Sequence, residues 1–250
     1  MKRLRLALDP ILATPFAGRV VDALVRGWAG AIARRREPRE SLFALLTLQD
    51  EIFRRVDVLA VDLDGGVHAK HRIMRYHDFF VERVHAGEAV LDIGCGKGEL
   101  ANDLAERAGA SVTGIDVNPS ALDFARSRFA SPRVEIVEAD ARTWEPNRAF
   151  DVIVLSNVLE HIDDRTGLLR RLLDTAKPSR MLIRVPVLER DWSIGLRREL
   201  GLPFFSDPTH TTEYDRDQLV AELAEAGLEP VEIQEHWGEL WAVATPHKAG

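Results

Sequence analysis

From residue 89 to residue 185 the chain repeats one pattern: a short apolar run, a polar or glycine-rich break, then apolar positions at helical spacing. The runs lie at 89–92, 111–116, 134–137, 150–156 and 181–185. The fourth, F-D-V-I-V-L-S, is the kind of apolar stretch expected of a parallel strand buried on both faces. Between the runs, Leu122, Ala125 and Phe129, then Leu168, Leu169, Leu172 and Leu173, form the stripes of helices packed on a sheet. Asn118 followed by Pro119, and Asp163 or Asp164, supply helix N-caps, and Pro178 ends the second helix. Strands alternating with helices predict a parallel α/β sheet. Near the end, 231–237 and 240–245 are strand-like and are split by Gly238-Glu239, a hairpin signal. Ahead of all this, Val20, Leu24 and Ala31, then Leu42, Leu46, Phe53 and Val56, predict two amphipathic helices over 19–33 and 41–56. Asp215 and Gln218 form a capping pair for a helix near 215, and a further helix is predicted over 68–84 after a turn at 62–66.

With 250 residues, 46% of them hydrophobic and 29% charged, the chain has material for one large domain and an appendage. A boundary near residue 66 separates a helical extension (1–66) from the main domain (67–250). No apolar run approaches the length of a membrane span, and Asp9, Pro10, Pro15 and Arg19 interrupt any export signal behind Lys2, Arg3 and Arg5. The single cysteine, Cys95, excludes an intramolecular disulfide, so a reducing, cytoplasmic location is expected. Charge is uneven: residues 1–36 carry +6 of a chain total of −7, which leaves −13 for the rest. An acidic main domain argues against a nucleic-acid partner. The basic end reads either as a solvated helical face or as contact with an anionic membrane or an acidic partner, and a homodimer is the other association considered.

The chemistry centres on A-V-L-D-I-G-C-G-K-G-E-L at 89–100, where Asp92 precedes Gly94, Gly96 and Gly98. A dinucleotide fingerprint needs glycine where Glu99 stands, and a P-loop needs Ser or Thr where Gly98 stands. The pattern instead resembles motif I of the class I S-adenosylmethionine (SAM)-dependent methyltransferases. Three later motifs lie in the same order as in that family. G-I-D ends the second strand at Asp116, with Val117 behind it; Glu138-Ala-Asp140-Ala141 follows the third; Asn157-Val-Leu-Glu160-His161 follows the fourth. From about Arg72 onward the chain is similar to small-molecule O-methyltransferases of the ubiquinone-biosynthesis and sugar-modifying kind. The resemblance implies a Rossmann-like seven-stranded sheet of order 3-2-1-4-5-7-6 with the last strand antiparallel. It also implies a SAM pocket: Asp92 and the glycines around the cofactor, Asp116 on the ribose, Asp140 near adenine, and Asn157 beside the methyl. Arg72, in a segment rich in histidine and arginine, is a candidate for the SAM carboxylate, with Arg75 as the other choice.

The acceptor is sought in an insertion at about 186–214, taken as a lid. Trp192, Asp207, His210 and Tyr214, with Arg190, Arg197 and Arg198, suit a ligand with apolar faces and many hydroxyls, so a sugar or glycolipid-type acceptor is expected. A phenol or quinol, and a catalytically idle SAM-binding module, are the alternatives. His161 is the first candidate base and His210 the second. In the ubiquinone-type enzymes a Glu, a second Glu and a His gather a divalent ion. The matching residues are Asn157, Glu160 and His161, one carboxylate short, which makes Mg²⁺ a weak expectation.

Overall fold

A computed structural model describes residues 15–35 and 37–247. The basic residues Lys2, Arg3, Arg5 and Arg36, and the export-signal breakers Asp9 and Pro10, lie outside the described residues. The chain forms two compact units, and each is described by itself. One comprises the described residues of Met1–His68 with Leu196–Leu202; the other comprises those of Ala69–Gly195 and Pro203–Gly250.

In the first unit, α1 (Pro15–Arg35) and α2 (Pro38–Leu63) are longer than the periodicity predicts. Pro38 opens α2 at its first turn, where its missing N–H costs nothing. Arg197 makes a forked bond to Asp50 at 3.1 and 2.8 Å. Among the described residues no helix is long and apolar enough to cross a membrane.

The second unit is built on β1 (Ala89–Ile93), β2 (Ser111–Asp116), β3 (Val134–Glu138), β4 (Val152–Ser156), β5 (Arg180–Pro186), β6 (Leu228–His236) and β7 (Glu239–Pro246). They hydrogen-bond in the order β3-β2-β1-β4-β5-β7-β6, and β7 runs antiparallel to both neighbours. This is the expected Rossmann-like α/β sheet. Its two faces are apolar for different reasons of alternation. Leu91, Ile93, Ile153 and Leu155 pack with Leu168, Leu169 and Leu172 of α7 (Arg165–Ala176) and with Leu219 and Leu223 of α8 (Arg216–Ala226). Val90, Val112, Val152 and Val154 pack on the other face with Phe79, Phe80, Leu100 and Leu104.

The caps were well marked in sequence. Asn118 accepts from the N–H of Ala121 at the start of α6 (Pro119–Arg128), and Asp164, not Asp163, accepts from Gly167. Asp215 accepts from Gln218 at 2.7 Å, but the Gln218 amide turns to Thr212 and Glu222, so the reciprocal half of the box is absent. The hairpin turns at Trp237-Gly238, one residue earlier than expected, with positive φ at both (57° and 73°), the type I′ requirement. The helix predicted over 68–84 is instead two short ones, α3 (Lys70–Met74) and α4 (Tyr76–Val81), because Arg75 takes a left-handed φ of 51° between them.

Candidate active site

The loop after β1 is held by its neighbour strand. Gly94 and Cys95 donate N–H bonds to the Ile115 carbonyl at 2.8 and 3.0 Å, and Gly96 donates to Asp116 Oδ2 at 2.9 Å. The other Asp116 oxygen accepts from Asn118 N–H at 2.8 Å. Positive φ at Gly94 (69°) and Gly96 (52°) shapes the turn, and the two glycines differ in surroundings. A Cβ on Gly94 would lie 2.7 Å from a Val158 methyl, whereas one on Gly96 would meet nothing within 4 Å. Gly96 therefore borders open space. Gly98 serves packing, since a Cβ there would come 2.9 Å from that of Ala125 on α6, which lets α5 (Glu99–Arg107) start close against it. Behind the turn, Asp92 is 1% exposed and its Oδ2 has no hydrogen-bond partner. Burial, and secondarily the charge of Asp116, pushes its carboxyl up to about 8. A buried acid with an unfilled oxygen beside an open glycine turn fits a ligand carrying a cationic group, as SAM does.

Further along the strand ends, Val117 is 62% exposed and Ala141 half-buried. The Asp140 carboxylate is gripped by the Arg142 guanidinium, with its shortest bond 2.6 Å, and this pairing lowers its pKa. Arg171 donates to the carbonyls of Ala141 and Trp144, which fixes this loop on α7. Trp144 packs against the core.

The third part of the site follows β4. Asn157 takes a left-handed φ of 57°, donates its N–H to the Arg184 carbonyl, and leaves its buried Oδ1 unpartnered. A short 3₁₀ turn, Leu159–His161, then carries Glu160 and His161. Glu160 is fully buried with both oxygens unpartnered, and burial pushes its carboxyl up to about 8. His210 reaches this turn from the insertion: its Nε2 is 4.0 Å from Glu160 Oε1, and the His161 and His210 rings are 4.7 Å apart. The Thr211 N–H, donated to the Glu160 carbonyl at 2.8 Å, ties the two segments together.

Both imidazoles are oriented from behind. His210 Nδ1 donates to Glu213 Oε1 at 2.9 Å. Thr209 gives its hydroxyl proton to Asp207 at 2.5 Å, so toward His161 Nδ1, 3.0 Å away, it acts as acceptor. Each ring thus carries its proton on Nδ1, assigned from these networks, and keeps a lone pair on Nε2. Burial, with His210 as a lesser cause, lowers the His161 pKa and favours the neutral ring.

The rest of the insertion departs from expectation. Tyr214 is completely buried in the core and its hydroxyl donates to Glu222 at 3.2 Å, so it has no face for a substrate. Arg190 is bound to Glu213, Val187 and Phe204, Arg197 to Asp50, and Asp207 to Thr209. The charges that suggested a polyhydroxylated acceptor are satisfied within the chain. Trp192, 81% exposed, keeps an open face.

The histidine-rich segment is likewise absorbed. His77 joins Asp103 at 2.9 Å and His71 at 3.1 Å, and the Tyr76 hydroxyl lies 3.0 Å from His71 Nδ1. Arg75 pairs with Asp78, and Arg72 is exposed on α3. Sequence reasoning missed Arg184, 3% exposed, which forks onto Glu239 at 2.6 and 2.5 Å and lies 3.8 Å over the Tyr76 ring. A lone arginine in an apolar strand was its only signal. Glu213, which anchors His210, gave none.

Sheet order, glycine turn and acidic strand ends define a methyltransferase-like α/β domain. The chain belongs to the methyltransferase domain family, whose model matches residues 67–233. It is 32% identical over 133 residues to the mitochondrial ubiquinone biosynthesis O-methyltransferase of Schizosaccharomyces pombe, covering 49% of this chain and 48% of that one. It is 38% identical over 100 residues to trans-aconitate 2-methyltransferase of Methylobacterium radiotolerans, covering 40% and 38%. These matches span half or less of each relative. The fold is similar to the crystal structure of magnesium protoporphyrin IX methyltransferase from Synechocystis PCC 6803 with bound SAH, with a TM-score of 0.56 and 17% identity over 70% of this chain and 82% of that one.

Proposed function

We propose that the protein is a SAM-dependent O-methyltransferase acting on a phenolic or quinol hydroxyl. The observation that carries the reading is the arrangement of Asp92 with an unpartnered buried oxygen beside Gly96 and, past β4, the Glu160–His161–His210 cluster. SAM supplies an electrophilic methyl on a sulfonium. The chain's part is to hold the cofactor's polar groups at Asp92 and Asp116 and to keep an acceptor oxygen in line. That oxygen must lose a proton, and the cluster provides the acceptors, the Nε2 lone pairs of His161 and His210.

The sugar acceptor gives way to the phenol or quinol for two reasons. The lid charges that favoured it are spent on internal pairs. The relatives named for ubiquinone biosynthesis point to an aromatic hydroxyl, for which Trp192 offers an exposed aromatic face. The test is product mass and SAH release after incubation with SAM and a panel of catechols, quinols, glycosides and carboxylic acids. Methylated catechol or quinol supports the reading; turnover confined to glycosides or carboxylic acids overturns it.

A further inference from the structure

The donor set at the cluster does not suit Mg²⁺. Mg²⁺ asks for an octahedron of oxygens, and here one carboxylate meets two imidazoles. Asn157, which stands where the ubiquinone-type pattern has a carboxylate, offers only a neutral amide oxygen. Instead His210 enters from the insertion, a residue that no local motif would join to Glu160 and His161. One ligand atom from each of the three lies within 4.8 Å of the others.

We propose that Glu160, His161 and His210 form a binding site for one first-row divalent transition ion of the Zn²⁺, Co²⁺, Mn²⁺ or Fe²⁺ class. Two imidazole nitrogens with one carboxylate are a donor set such ions favour. Three further features fit a prepared site. Glu160 is fully buried and neither oxygen has a partner, a costly arrangement that a cation would relieve. Both histidines have Nδ1 engaged, His210 by the Glu213 carboxylate and His161 by Thr209, itself fixed by Asp207, which leaves Nε2 as the nitrogen able to bind an ion. A carboxylate behind a histidine is the usual outer support of a metal ligand, since it fixes the tautomer and strengthens the donor. Finally, Thr211 clamps the insertion to the Glu160 carbonyl, which holds the distant third ligand in reach.

The 4.0 Å between His210 Nε2 and Glu160 Oε1 exceeds the ~3.4 Å separating two donors that each bind a tetrahedral ion at ~2.1 Å, so the side chains close slightly on loading. An ion here would lower the pKa of a ligated hydroxyl. That use rests on the proposed methyl transfer; the site itself does not.

The test is titration of the chelator-treated full-length protein with Co²⁺, followed by visible absorption, with SAM binding measured separately by calorimetry. One equivalent should bind and give the absorption of nitrogen-ligated Co²⁺, and the paramagnetic ion should shift the ring signals of two histidines. Glu160→Gln and His210→Ala should each weaken binding by more than ~100-fold, and Glu213→Gln by ~10–100-fold. Asn157→Gly, which tolerates the left-handed φ, should leave it within ~3-fold. If His210→Ala fails to fold, the two shifted histidine signals and the isosteric Glu160→Gln still decide. Absence of saturable one-to-one binding, binding that survives Glu160→Gln, or equal loss with Asn157→Gly would overturn the site. Co²⁺ binding without SAM binding leaves the site standing and removes the methyltransferase reading; the reverse removes the site alone.

Discussion

Gly96 donates its backbone N–H to Asp116 Oδ2 at 2.9 Å, so the acid expected to hold a ribose also holds the turn that borders the ligand space. One side chain links the end of β2 to the loop after β1 and keeps lone pairs for further donors. Asp116→Ala should therefore weaken SAM binding by on the order of 2–3 kcal/mol, roughly 30–150-fold, through lost ribose contacts and a loosened loop. Calorimetry against wild type reads this directly. Unchanged affinity would remove Asp116 from the cofactor site.

Asp92 sets a pH dependence. Its folded carboxyl is pushed up to about 8 from an ordinary value of 3.8, so between these limits the folded ligand-free protein holds a proton that the unfolded chain releases. Stability from this group is complete below about pH 4 and declines as pH rises toward 8, by on the order of a few kcal/mol. Asp92→Asn, neutral at every pH, should flatten that decline in denaturant melts from pH 5 to 8. A cationic ligand favours the ionised acid, so SAM binding at pH 7 should release a proton. The release is visible as a dependence of binding heat on buffer ionisation enthalpy, and Asp92→Asn should abolish it.

Tyr214 and Trp192, once grouped as acceptor contacts, should now separate. Tyr214→Phe deletes one buried hydroxyl bond to Glu222, and should cost ~0.5–1.5 kcal/mol of stability with acceptor KM unchanged. Trp192→Ala should leave stability within ~0.5 kcal/mol, because the ring is 81% exposed, and raise acceptor KM. The opposite assignment of effects would return Tyr214 to the site.

What was readable in advance follows the range of the interactions. The runs at 111–116 and 150–156 announced strands because each buried residue reports its own environment, and Asn118-Pro119 announced a helix start because capping is local. Arg75 was misread because a single left-handed residue leaves the apolar rhythm of 68–84 nearly intact. The insertion failed for a different reason. Arg190, Asp207 and Tyr214 look like free functional groups until the fold supplies Glu213, Thr209 and Glu222 as partners. Glu160 and His161 were visible as neighbours in a motif, but His210 joins them only through tertiary contact.

His161 tests the chemistry of that cluster. Its Nδ1 is held by Thr209, its ring is neutral by preference, and one of its ring nitrogens is among the three donor atoms at the cluster. Whether that nitrogen takes the acceptor's proton or holds an ion, its removal strips the groups that make a hydroxyl nucleophilic and leaves the Asp92–Gly96 turn untouched. His161→Ala should thus lower kcat by ~10²–10⁴ while SAM affinity stays within a few-fold. Thr209→Val, which removes only the orienting acceptor, should cause a smaller fall and a changed pH profile of kcat/KM, because the wrong tautomer becomes populated. Chelation distinguishes the two roles of the nitrogen. With an ion in place, EDTA should lower kcat as His161→Ala does, and Zn²⁺, Co²⁺ or Mn²⁺ should restore it better than Mg²⁺. Activity that survives EDTA yet falls in His161→Ala would make the imidazole itself the base. Wild-type turnover by His161→Ala would move the chemistry away from this turn.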